Sequence, residues 1–136
     1  MGADSACMQP HVPQRPSDRL APMDLEDEDG LAAATRDIAE VPAIEVVTTV
    51  ALHLMSAAAV KCGLAEDGEA DLAEARILIN ALAALVVGAA PDLGTFHAGP
   101  LRDGLKSVQL AFREASEFPD PPGAGPGEKF TGPLRA

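Results

Sequence analysis

The chain has no Trp and no Tyr, and its 136 residues include only four Phe and two Cys. Scarce aromatics, together with the absence of β-branched runs bounded by turn signals, argue against a sheet protein and leave helices as the expected structure. Basic residues are also few, ten Lys and Arg against 21 Asp and Glu, for a net charge of −11 without a basic patch. That balance has the wrong sign for gripping a phosphate backbone, so direct nucleic-acid binding is not expected. Cys7 and Cys62 stand in different settings and form no disulfide framework, which makes a reducing cytoplasm the default. The N-terminus lacks a basic stretch followed by an apolar one, so it does not read as a signal peptide. The most apolar run, Val46 to Val60, is 15 residues long and contains His53. A spanning helix needs about 20 mostly apolar residues. A soluble cytoplasmic protein without a membrane segment is expected.

Residues 1–35 hold scattered prolines and the acidic block Asp24-Leu25-Glu26-Asp27-Glu28-Asp29. Such a stretch cannot bury enough surface to offset its ordering entropy and reads as a disordered acidic tail. Residues 36–118 form the expected helical domain. Its size is near the lower limit for a self-sufficient core, and self-association is one remedy. Residues 119–136, rich in proline and glycine, read as a second disordered tail.

Three helices are predicted, roughly 42–62, 72–89 and 98–117. The first places Ile44, Val47, Ala51, Leu54, Met55 and Ala58 on one face, with Gly63 as its left-handed cap. A second apolar row, Val46, Val50, Ala57 and Val60, runs beside that face, and a polar stripe carries Glu45, Thr49, His53 and Ser56. A helix apolar over most of its circumference needs cover from two sides. Asp71-Leu72-Ala73-Glu74 reads as a capping box for the second helix, whose seam is Leu72, Ala75, Ile79, Leu82, Val86 and Ala89. Pro91 is expected to end it. The third helix has the seam Leu101, Leu105, Val108, Phe112 and Ala115, with Arg102, Lys106, Gln109 and Arg113 toward water. The predicted fold is therefore all-α: a small bundle of a helical hairpin plus one further helix, flanked by the two tails.

These residues carry a resemblance. Arg36–Ala43, Leu52–Lys61, Gly63-Leu64, Asp71-Leu72, Glu74–Arg76, Pro91–Gly94, Pro100–Leu105 and Leu110–Ala115 resemble the small helical bacterial family catalogued as domain of unknown function 1844, in its high-GC Gram-positive form. The likeness spans about residues 36–118 and extends to Gly127–Pro133. It implies a short, soluble, all-helical protein with no established activity, and hence no catalytic, cofactor or metal residues to carry over. It also implies a link to translation, because relatives lie near genes for an initiation factor and ribosomal proteins.

Read for chemistry, the chain offers little. His53 and Ser56 could suggest nucleophilic catalysis, but no oriented acid or oxyanion loop accompanies them. A metal set of His53, Cys62, His97 and Asp92 lacks a recognised ligand spacing. The acids from Glu66 to Glu74 lack the pattern of a calcium loop. Lys129-Phe130-Thr131 reads either as a solvated tail or as an aromatic anchor on a flexible tether, able to settle in a partner's groove. The expectation is a homo-oligomeric interaction or adaptor protein, not an enzyme, using Val46, Val50, His53, Ala57 and Val60 for assembly and Phe130 in the C-terminal tail for a protein partner. The alternative is an enzyme or a small-ligand or metal binder with a site near His53 and His97.

Overall fold

The computed structural model describes residues 39–135. The chain divides into two units, Met1–Pro42 and Ala43–Ala136, and the core and cavities described below lie in the second. The acidic segment 1–35, Cys7 included, falls outside the described residues.

Helix α1, Ala43–Ala59, carries Glu45 in its first turn and runs into a widened π-type turn, Val60–Leu64. Gly63, at φ +91°, breaks the helix where the sequence placed its left-handed cap. The Asp71 backbone N–H donates to the Lys61 carbonyl at 2.7 Å, satisfying one of the orphan carbonyls at that end. The same bond explains why the predicted capping box is only half formed. Asp71 Oδ1 accepts the Glu74 N–H at 3.3 Å, but the Asp71 N–H that Glu74 would reach is already taken.

The long helical stretch Leu72–Ala115 is broken at Gly94, where φ 82° and ψ 164° are non-helical. It forms two arms, α2 (72–93) and α3 (95–115). They lie side by side, the Arg76 guanidinium 5.0 Å from the centre of the Phe112 ring. Two boundaries differ from expectation. Pro91 does not end α2; the helix continues past it to Gly94, because Pro costs one N–H bond whereas a backbone in a glycine-only region cannot stay helical. Helix α3 accordingly starts three residues early and holds Pro100 inside it.

The core is the meeting of α1 with this hairpin. Ile79, Leu82 and Val86 are fully buried, each stabilising by about 1.5–3 kcal/mol. Ala51 and Ala58 are fully buried on α1, and Gly104 leaves room for Met55, whose sulfur a Cβ there would overlap. Small residues thus set the close approach of α1 to the hairpin. Leu101, Leu105, Val108 and Phe112 are buried as the seam requires, whereas Ala115 is exposed. The three expected helices are present and the described residues hold no strand: the protein is all-α.

The C-terminal tail departs from expectation. Residues 119–135 are not a disordered extension; they pack back on the hairpin and include a short helix α4, Glu128–Thr131. Gly127 and Gly132, at φ +78° and +83°, bound α4 and let the chain turn on both sides of it. The segment expected to be a flexible tether for Phe130 is instead docked, its neighbours fixed from both helices.

Candidate functional site

Two surfaces stand out, one on α1 and one where the C-terminal segment meets the hairpin. On α1 the packed row is Ile44, Val47, Ala51, Leu54, Met55 and Ala58. The second row stays largely uncovered: Val46 is 39%, Val50 45% and Val60 49% exposed, with Ala57 half-buried between them. His53 falls in the middle of that row and is exposed. The spacing from Val46 through Val50, His53 and Ala57 to Val60 is 4-3-4-3, the spacing of a helix–helix seam.

His97 lies far along the sequence, exposed in the first turn of α3 with its ring edge-on to Phe96, centroids 5.2 Å apart. Cys62 is buried, and burial pushes its thiol pKa up. No group of three or more His, Cys, Asp and Glu able to hold a metal exists among the described residues. The structure therefore does not draw His53, Cys62, His97 and Asp92 into one cluster.

The second surface is built by polar residues. Asn80 Oδ1 on α2 accepts the Gly127 N–H at 2.7 Å, and Gln109 Nε2 on α3 donates to the Pro126 carbonyl at 3.0 Å. Arg76 pairs with Asp120 at 2.8 Å, and Arg113 donates to the Leu134 carbonyl at 3.1 Å. Glu128, only 8% exposed, accepts the Gly125 N–H on one oxygen at 2.9 Å and the Leu134 N–H on the other at 2.8 Å. The segment is a strap held from both arms of the hairpin and closed on itself by one carboxylate. Gln109, expected to face water, is 4% exposed. The sequence reading missed this set because its members are spread from Arg76 to Leu134 and have no common periodicity.

Residues 43–114, which span α1 and the hairpin, match the family described as domain of unknown function (DUF1844). The chain belongs to that family. The resemblance drawn from its motifs is thereby established, and the strap lies outside the matched DUF1844 residues. No curated protein and no solved structure matches the chain.

Cavities lie in contact with the strap or beside it among the described residues. One of about 310 Å³ lies beneath it, against Gln109, Phe112 and Arg113. A groove of about 560 Å³ opens between the hairpin and residues 130–135. A third, of about 300 Å³, lies by Leu72, Phe112 and Phe118. None of the three is lined by His53 or His97. Phe130 is 39% exposed on the rim of the groove, with Lys129 Nζ 5.2 Å from the centre of its ring.

Proposed function

We propose that this DUF1844 protein is a small cytoplasmic interaction protein, acting by binding rather than by catalysis, that self-associates through α1. The observation that carries this reading is the row of Val46, Val50 and Val60, each about 40–50% exposed, on a helix already packed on its other face. A row at 4-3-4-3 spacing meets its own copy across a two-fold axis without further adaptation, since each residue then faces an equivalent one. His53 and Ala57 sit inside such a seam, and the assembled surface recruits partners, to be sought first among translation components.

A second reading rests on apolarity. Ala43–Leu64 is 22 residues long, and its most apolar 18-residue window has mean hydropathy 1.7 and is 11% buried; the corresponding window of Leu72–Ala115 has mean hydropathy 1.8 and is 33% buried. Both are long and apolar enough to cross a membrane by length and composition. The break at Gly94 and the packed α1–hairpin core favour a helix covered by protein, because both helices already share one apolar core.

Sedimentation velocity on the wild type and on Val50→Asp, with circular dichroism as a folding control, separates the readings. Self-association predicts a wild-type dimer or larger and a helical monomer for the variant. A helical wild type that sediments as a monomer, or an unchanged mass for Val50→Asp, overturns the assignment. Recovery of the native protein in the membrane pellet supports the lipid reading.

A further inference from the structure

The groove between the hairpin and residues 130–135 has a chemistry at odds with the rest of the chain. Its apolar walls come from Val86, Ala90 and Leu105, with Val87 and Phe130 at the rim. Three basic residues, Arg102, Lys106 and Arg135, line it, and no acid among the described residues does. In a protein of net charge −11, a pocket whose charged lining, among the described residues, is wholly cationic is a local reversal of sign. Arg102 and Lys106 are four apart on α3 and so share one face. Like charges placed together repel, by a few tenths of a kcal/mol, and an anion between them relieves that repulsion.

The floor supplies a second indication. Gln109 is 4% exposed and lines both this groove and the cavity beneath the strap, and its Nε2 donates to Pro126 O at 3.0 Å and to Thr131 Oγ1 at 3.4 Å. Its Oε1 receives no hydrogen bond from the described residues. A buried carbonyl oxygen without a donor is costly, and a ligand N–H or O–H would satisfy it. The volume of about 560 Å³ falls within the roughly 300–1,000 Å³ of small-molecule sites.

We infer that this groove binds a small amphipathic anion: an apolar body lying on Val86, Ala90, Leu105 and Phe130, a carboxylate or phosphate end between Arg102, Lys106 and Arg135, and one N–H or O–H donor to Gln109 Oε1. Residues 130–135 form one wall, so the site exists only while the strap is docked. It uses no residue of the α1 row and stands or falls independently of self-association.

N-Decanoylglycine carries all three features and serves as the probe, with its uncharged amide as the control. Titration into the full-length ¹⁵N-labelled protein should give saturable shift changes at Val87, Lys106 and Phe130. The charged probe should bind about tenfold or more tightly than the uncharged one, and Arg102→Glu with Lys106→Glu should remove most of that difference. Both side chains are exposed, so the double variant keeps the fold; its spectrum verifies this. Equal affinity for charged and uncharged probes, shift changes confined to Val46–Val60, or unaltered binding by the folded double variant each overturn the inference.

Discussion

Glu128→Ala removes both oxygens that close the strap. Each accepts a backbone N–H, from Gly125 at 2.9 Å and from Leu134 at 2.8 Å. Hydrogen bonds to a charged acceptor are worth about 1.5–3 kcal/mol each, so the gross loss is about 3–6 kcal/mol. Burying the carboxylate to 8% exposure opposes folding and returns part of that loss when the charge is deleted. The two N–H groups belong to half-buried residues that water can reach, which lowers the cost further. A net loss of about 2–3 kcal/mol in strap docking follows, equivalent to about 30- to 150-fold in the opening equilibrium. Native-state amide exchange at Gly127 reports it, because that N–H bonds to Asn80 and is untouched by the substitution. Ile79, in the α1–hairpin core, should keep its protection. Gly127 exchange within about threefold of wild type would refute the view that Glu128 holds the strap.

Gly127→Ala places a Cβ 2.9 Å from Gln109 Nε2 and 3.0 Å from Ala83 Cβ at φ +78°, so it should open the strap by at least the ~1–2 kcal/mol of the left-handed backbone, read by the same exchange experiment. Gly94→Ala meets no atom within 4 Å, so its cost, about 1–3 kcal/mol in urea unfolding, isolates backbone conformation alone. Ile79→Ala should cost about 2–5 kcal/mol in the same assay, because the side chain is fully buried. Burial raises the Cys62 thiol pKa, so the folded protein holds this proton more firmly than the unfolded chain. That contribution is complete below about pH 8.5, the unfolded value, and is lost as pH rises through the folded one; the urea midpoint should therefore fall in alkali more steeply for wild type than for Cys62→Ala.

The helices were legible because periodic apolar residues report burial directly: Ile79, Leu82, Val86, Leu101, Leu105 and Phe112 sit where their spacing put them. Gly63 was legible because only its backbone freedom fits the end of α1. The strap was not. Proline and glycine content registers what a segment lacks in local structure, whereas residues 119–135 are held by distant polar partners on two helices. The spacing assigns Gln109 and Arg113 to water by polarity, which is how residues that bind a backbone segment look before that segment is placed. The exposed row on α1 was visible as excess apolarity, since one face already satisfied the core.

The strap also orders events in time. It bridges α2 and α3 through Arg76, Asn80, Gln109 and Arg113, yet it is synthesised after all three helices. During translation α1 and the hairpin can collapse on local contacts before the residues that lock them emerge. A truncated product ending near Phe118 would therefore keep a helical core but present Gln109, Asn80 and the apolar wall of the groove uncovered. Such a product differs from the chain with its strap docked by a distinct exposed surface.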